Sequence, residues 1–423
     1  MRRHRWCTFA IALGLTVSGC DRSASDPAPF EADSSRVTIR DSAGIRIVEN
    51  HAPVWDSAAF WTVDSEPRFV LDGLGTPGDS AHLIWNITAV VPLSDGRVAT
   101  LTPMADRKVL VFEPSSRLSA AFGRTGRGPG EFRYPLHIQV LPGDTISVWD
   151  QMFGPVYYFD PSGRLLRERR IDLGAVVAAT QTSSQRPGES VHSPLPDGSF
   201  LIEVKPADWR PPTKSGVIYR RPRGYVRIDA TYSAHSFGWW RGREQLSRQR
   251  FDDAGHVPFP AGSMTAAGGD PLVVYITNSD RYEVHQFSAT GALQRILRRT
   301  ITPAPIDDEQ TETWKGFVAP LNPQVNWRRW ERTMSELPER DHPAIGNLRV
   351  DSEGYLWVKR PGREHSWGEW NVFNPEGRWL GTLEVPMLAV YWIGEDFILG
   401  GHMHVDTGVE VVMLYRLNRH REP

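Results

Sequence analysis

The sequence predicts an all-β fold: a six-bladed β-propeller of four-stranded antiparallel blades, closed by an N-terminal strand and carrying a small helical insertion. Two observations predict it. A β-rich segment that ends in an aromatic or aliphatic residue, followed by a turn, recurs six times along the 423 residues. A second turn precedes each copy and introduces a further apolar strand. A four-stranded antiparallel unit that recurs in this way is the blade of a β-propeller.

The six copies differ in sequence but share a short apolar strand. They are Val109–Phe112, Val156–Phe159, Tyr225–Ile228, Val284–Phe287, Trp370–Phe373 and Leu414–Leu417. The turns before them lie at residues 94–96, 142–144, 196–198, 268–270, 352–354 and 394–396. A minimal blade needs ~40–45 residues, and two of the gaps between copies are much longer. The excess predicts insertions at about residues 205–224, within the third blade, and 302–343, between the fourth and fifth.

The second insertion has a helical pattern. Asn322 is a suitable N-cap, and Pro323 is suited to the first helical position. Apolar residues then recur at three- and four-residue steps, at Trp327, Trp330, Met334 and Leu337. A weaker pattern of the same kind, from Ile306 to Phe317, predicts an earlier helical piece.

An N-terminal strand is expected to close the ring. The sixth copy ends near the last residues of the chain, after a third strand. Two apolar segments, Phe60–Val63 and Arg68–Leu71, can supply the fourth. The loops at residues 73–79 and 123–131 resemble each other. The second loop follows the fourth strand of the first blade, so the first loop should also follow a fourth strand. Such a closure removes an exposed sheet edge, and we predict a propeller over residues 58–418.

Residues 1–19 have the features of a signal peptide. Arginines precede an apolar run from Phe9 to Val17, which is too short to span a bilayer. Small residues then lead into Cys20. We expect residues 20–36, which are small, polar and Pro-containing, to form a flexible tether. Residues 37–57 should form a β-hairpin around a Gly turn.

Composition narrows the class of partner. Removal of the signal takes three of the 48 basic residues and leaves 50 acidic ones, with no long run of either charge. The sequence therefore predicts no nucleic-acid partner. Its two cysteines are Cys7, within the signal, and Cys20. The exported domain would then hold neither a disulfide nor a cysteine metal site.

Two segments carry a resemblance to known proteins. Leu15–Cys20 resembles the lipobox of bacterial lipoproteins, in which acyl chains such as palmitate are attached to the cysteine; an ordinary secretory signal containing a cysteine is the alternative. Gly126–Phe132 is similar to the linker of NHL-repeat proteins. The whole plan, over about residues 37–418, resembles the bacterial six-bladed propeller lipoproteins of the TolB-like superfamily. The resemblance implies a lipid anchor at Cys20, in the inner or outer membrane, with the domain facing the periplasm or exterior.

The best candidate for a metal site is His402, His404 and Asp406. On a strand these alternating residues share one face, where a divalent metal ion could bind. Polar residues at a strand end explain the pattern equally. The tryptophans, among them Trp392, suit either a ligand groove or packing between blades. The sequence predicts no other cofactor and no catalytic residue.

Two hypotheses for the function follow. The first is a monomeric binding or scaffold module of the cell envelope, held to the membrane by its lipid, for a protein, peptide or glycan. The alternative is a metal-dependent hydrolase or lyase with its site at the propeller channel mouth. Metal analysis of the domain from Ser35 onward separates them, because stoichiometric calcium or zinc would favour the enzyme.

Overall fold

The computed structural model describes residues 35–55, 60–72, 87, 89–102, 107–150, 155–170, 190–206, 208–247, 255–361, 368–387, 389–403 and 409–419. Its strands form six sheets that follow one another along the chain, each with a core of four antiparallel strands. The chain is a β-propeller, which confirms the predicted fold class. Two short helices lie between the fourth and fifth sheets.

The strands are numbered in chain order. The first twelve are β1 (Val37–Ser42), β2 (Ile45–Asn50), β3 (Thr62–Val63), β4 (Phe69–Asp72), β5 (Ala89–Pro92), β6 (Val98–Thr102), β7 (Lys108–Phe112), β8 (Leu118–Phe122), β9 (Pro135–Leu141), β10 (Thr145–Asp150), β11 (Val156–Phe159) and β12 (Leu165–Arg169). Sheet 1 contains β5–β8, and sheet 2 contains β9–β12.

The remaining strands are β13 (Ser190–Pro194), β14 (Phe200–Val204), β15 (Ile218–Ile228), β16 (Ala234–Leu246), β17 (Met264–Gly268), β18 (Val273–Thr277), β19 (Glu283–Ser288), β20 (Leu293–Arg299), β21 (Asn347–Val350), β22 (Leu356–Lys359), β23 (Gly368–Phe373), β24 (Trp379–Val385), β25 (Ala389–Ile393), β26 (Phe397–Met403) and β27 (Glu410–Asn418). Sheet 3 contains β13–β16, and sheet 4 contains β17–β20 together with β1 and β2. Sheet 5 contains β21–β24, and sheet 6 contains β25–β27 with β3 and β4.

Every repeat found in the sequence occupies the third strand of a sheet, namely β7, β11, β15, β19, β23 and β27. The turn that follows owes its shape to a polar residue. In sheet 2 the Asp160 carboxylate accepts hydrogen bonds from the backbone N–H of Ser162 (3.0 Å) and Arg164 (3.1 Å). The Ser162 hydroxyl and the other donors lower the pKa of Asp160 to about 2. Asp229 makes the equivalent bonds in sheet 3, so the turn is specified locally.

The NHL-like linker joins sheet 1 to sheet 2. The Glu131 carboxylate accepts hydrogen bonds from the backbone N–H of Arg127 (2.9 Å) and Gly128 (2.8 Å). Phe132 is fully buried against Tyr157 and Phe159, with ring centroids 5.7 and 6.0 Å away. The linker thus anchors one blade to the next by an ordered loop and a buried ring.

The N-terminal strands complete sheet 6. β4 pairs antiparallel with β27 over Phe69–Asp72, and β3 pairs with the end of the same strand. Trp61, Phe69 and Leu71 are buried. Phe60 and Val70, which belong to the same apolar segments, are 45% and 42% exposed. In β4, Val70 alternates with Phe69 and Leu71 and therefore points to the opposite face.

The hairpin of β1 and β2 turns at Ala43 and Gly44, both with positive φ. It does not stand apart, because β2 pairs in parallel with β20 over Arg46–Asn50 and extends sheet 4. The buried Asn50 side chain accepts a hydrogen bond from the Trp379 N–H (2.8 Å) and donates to the Gly377 carbonyl (3.1 Å). The hairpin therefore connects sheets 4 and 5, a contact that the sequence did not predict.

The helical insertion forms α1 (Asp308–Leu321) and α2 (Trp327–Ser335). The predicted N-cap of the second helix, Asn322, is wrong: Asn322 caps the C-terminus of α1 and donates to the Val318 carbonyl (3.0 Å). Asn326 caps α2 instead, accepting from the Arg329 N–H (3.1 Å). Asn322 is already used to end the preceding helix, so the next one begins later. Trp314 and Trp330 bury the insertion against Leu246 and Phe259.

Candidate functional site

A cavity of about 510 Å³ lies where the innermost strands of all six sheets meet. We call it the central cavity. Its wall includes residues of β5, β9, β13, β17, β21 and β25 and the turns that follow several of them. Apolar side chains make up much of the wall, with Val91, Ile138 and Trp392 among them. A concave, mostly apolar space of this size with a few polar groups is typical of a ligand site.

Arg349 is the only Lys or Arg in the described wall of the central cavity. Its Nε donates to the Val390 carbonyl at 2.9 Å, which connects β21 to β25. Its Nη1 donates to the Leu348 carbonyl (3.1 Å) and to the Asn347 Oδ1 (3.4 Å). All three acceptors are neutral. Burial lowers the pKa of the Arg349 guanidinium, although an arginine stays protonated in proteins.

Tyr391 lies beside Arg349 in the same wall. Burial and the Glu410 charge raise the pKa of Tyr391 to about 12, although the nearby Arg349 charge acts to lower it. The hydroxyl therefore keeps its proton at neutral pH and can donate a hydrogen bond. Glu410 begins β27 and accepts a hydrogen bond from the Ile87 N–H. Burial raises the pKa of Glu410 as well.

The carboxylates of the wall do not neutralise Arg349. Asp351 is buried and pairs with Arg419 at 2.9 Å. Its oxygens also accept from Trp357 Nε1 and from the backbone N–H of Glu353 and Tyr355. Asp270, the other carboxylate of the wall, is exposed to solvent in the turn that follows β17. Among the described residues, Arg349 thus forms no ion pair.

A second cleft, of about 360 Å³, lies between sheets 3, 4 and 5 and is lined by Arg223, Arg243, Lys359 and Arg360. Its charges are already engaged. Arg223 pairs with Glu203 at 2.8 Å, and Arg360 pairs with Glu369. Arg243 and Lys359 also have partners. The cleft is therefore a weaker candidate for a ligand's charge than the central cavity.

Of the three metal-site residues suggested by the sequence, the structure describes only His402. His402 lies half-buried near the end of β26, opposite Val411 of β27, and is not part of the described cavity wall. His404, Asp406 and Cys20 lie outside the described residues. Within the described ranges no three His, Cys, Asp or Glu side chains are grouped as a metal ion would require.

The tryptophans divide between packing and the cavity. Trp370 and Trp379 are buried between sheets, whereas Trp392 lines the central cavity. Trp239 is 44% exposed. The sequence did not identify Arg349 or Tyr391. One feature of the sequence could have pointed to Arg349. It is a charged residue within the short inner strand Asn347–Val350, whereas most inner strands are largely apolar.

No protein-family model and no curated protein sequence matches the chain. Several solved structures do. A DUF4221 family member from Bacteroides vulgatus is 9% identical, with 85% of this chain and 99% of that one covered and a TM-score of 0.47. A gluconolactonase from Xanthomonas campestris is 12% identical, with 85% and 99% covered and a TM-score of 0.37. Virginiamycin B lyase from Staphylococcus aureus is 11% identical, with 81% and 82% covered and a TM-score of 0.36. At these values the likeness assigns no activity to this chain.

No helix in the described ranges combines the length and apolar character needed to cross a membrane.

Proposed function

We propose that this protein is a lipid-anchored binding module of the bacterial cell envelope, which holds part of a protein, peptide or glycan ligand in its central cavity. The observation that supports the proposal is the cavity itself. It has ligand-sized volume, an apolar wall and one cation without a carboxylate partner among the described residues.

Most of the cavity wall is built on paired strands, which suits binding. The inner strands that form it each pair with a second strand, and the adjoining cores of neighbouring sheets are buried. A site built on paired strands loses little conformational entropy when it binds a ligand. The binding groups are thus already in position before the ligand arrives.

In-cell cross-linking tests the binding role. A photoreactive amino acid at Ser352, an exposed residue in the turn beside the cavity, should yield a specific adduct on illumination of intact cells. The matched control is Leu166 on β12, which is 45% exposed but lies outside the described cavity wall. Mass spectrometry identifies the adduct. Equal adducts from both positions, or none from Ser352, would contradict the proposal.

The anchor is tested at Cys20. Cys20→Ser should abolish lipidation and leave the protein unprocessed or soluble, because the thiol is the acceptor for the acyl chains. Two or more chains on one residue make membrane attachment effectively permanent, whereas a single chain binds only marginally. Metabolic labelling with a fatty-acid analogue measures the effect. Cys7→Ser, within the signal, is the control and should be labelled as strongly as the wild type. Label that persists in Cys20→Ser would refute the anchor.

A further inference from the structure

We propose that the central cavity binds the C-terminal carboxylate of a peptide, with the Nη2 group of Arg349 as its counter-ion and the Tyr391 hydroxyl as a second donor. The inference rests on the proposed function, in that it takes the central cavity as the ligand site. It adds the chemical group that is recognised and the residues that recognise it.

The first step concerns the Nη2 group of the Arg349 guanidinium. Nε and Nη1 donate to Val390, Leu348 and Asn347, and these bonds hold the group in place. Nη2 makes no hydrogen bond or ion pair with the described residues. Arg349 is half-buried, and a charge partly removed from bulk water is costly unless it is paired. Arg349 is therefore a fixed cation in the cavity that pairs with no anion among the described residues.

The second step is a matching donor. The hydroxyl of Tyr391 also forms no hydrogen bond with the described residues, and Tyr391 lines the same cavity. It interacts electrostatically with Arg349. Two donors, one of them charged, match the two oxygens of one carboxylate.

The third step concerns the amount of negative charge that the cavity wall can balance. A phosphate monoester carries about −1.5 to −2 at neutral pH and three strong acceptor oxygens. The described wall offers a single cation, and it also contains the carboxylates Asp270 and Asp351. One guanidinium balances one negative charge, so the wall fits a carboxylate better than a phosphate.

The fourth step distinguishes a peptide from an acidic sugar. Each of the six inner strands pairs with one neighbour in its sheet and has a second edge toward the ring's centre. The free edge of a strand presents N–H and C=O groups that pair with extended backbone. Apolar side chains of the wall, Val91, Ile138 and Trp392, can contact the ligand's last side chain.

The experiment compares two probes with the purified domain from Ser35 onward. One is the tripeptide acetyl-Ala-Ala-Phe with a free carboxylate, and the other is the same peptide with a C-terminal amide. Isothermal calorimetry should show that the acid binds about ten- to one-hundred-fold more tightly, as expected for a charged hydrogen-bonded pair. Arg349→Gln should bind both probes with the weak affinity of the amide.

Tyr391→Phe provides a second variant that keeps the ring and its packing. It should weaken binding of the peptide acid about three- to ten-fold, as expected for the loss of a hydrogen bond. The affinity for the peptide amide should be unchanged. This variant tests the proposal even if Arg349→Gln fails to fold, which a thermal melt reveals. Arg241→Gln, an exposed arginine outside the described cavity wall, is the matched control and should bind like the wild type.

Other outcomes overturn the inference. Equal affinity for acid and amide, or unchanged discrimination in Arg349→Gln, would exclude recognition of a carboxylate by this residue. Binding of glucuronate or inorganic phosphate through Arg349, with no binding of the peptide acid, would exclude a peptide. Absence of binding by every probe also overturns it. Each of these results leaves the Ser352 cross-linking experiment as the separate test of the binding function.

Discussion

Deletion of residues 60–72 should abolish the cooperative thermal transition of the domain. The deletion removes β3 and β4 and leaves β27 with an open row of backbone groups. It also removes the buried side chains of Trp61, Phe69 and Leu71. Each fully buried large apolar side chain contributes ~1.5–3 kcal/mol, and a whole domain is stable by only ~5–15 kcal/mol. Loss of three such side chains and of two strands is comparable with the entire stability.

A pair of point variants checks the same closure more finely. Trp61→Ala should cost about 3–5 kcal/mol of unfolding free energy, as for other buried tryptophans. Its ring lies 5.0 Å from Tyr355 and 5.9 Å from Trp357 of sheet 5. Phe60→Ala, the adjacent but 45% exposed aromatic, should cost well under half as much. Urea denaturation measures both. Similar small losses in the two variants would mean that the N-terminal segment does not close the ring in solution.

Much of this fold could be predicted from the sequence because its specification is local. Asp160 and Asp229 shape their turns through bonds to residues two and four positions ahead. The apolar third strands stand out from the turns on both sides. Local rules also fail locally, as at Asn322, where two adjacent helix termini compete for one suitable residue.

The features that the sequence did not predict depend on distant pairs. The parallel pairing of Arg46 with Arg295 joins strands that no repeat relates. The same holds for the central cavity. Arg349 is fixed by the carbonyl of Val390, and whether an inner-strand side chain faces the cavity or the next sheet follows from the assembled ring. A charged residue in a short strand is visible in the sequence, but only the structure shows that no described carboxylate pairs with it.

The second large effect is expected at the buried pair of Asp351 and Arg419. Arg419→Met should lower the unfolding free energy by about 3–5 kcal/mol, because it leaves Asp351 buried and charged without a counter-ion. The Asp351 side chain has no exposed surface, and that of Arg419 is 7% exposed. Arg419 also donates to the Gly394 carbonyl (2.8 Å) and stacks over the Trp61 ring, 4.5 Å from its centroid. The pair thus ties the last described residue to sheets 5 and 6.

A double-mutant cycle measured by urea denaturation separates the charge effect from lost packing. Asp351→Asn in the Arg419→Met background should recover part of the loss, because the amide needs no counter-ion and its oxygen can still accept from the backbone N–H of Glu353 and Tyr355. The recovery should be incomplete, because the amide nitrogen cannot accept from Trp357 Nε1. Arg360→Met is the control. It breaks an Arg–Glu pair of sheet 5 in which the arginine is 59% exposed, and such pairs contribute about 0–1 kcal/mol. Equal losses in Arg360→Met and Arg419→Met, or no recovery in the double variant, would mean that burial of the Asp351 charge does not determine the stability of this end of the ring.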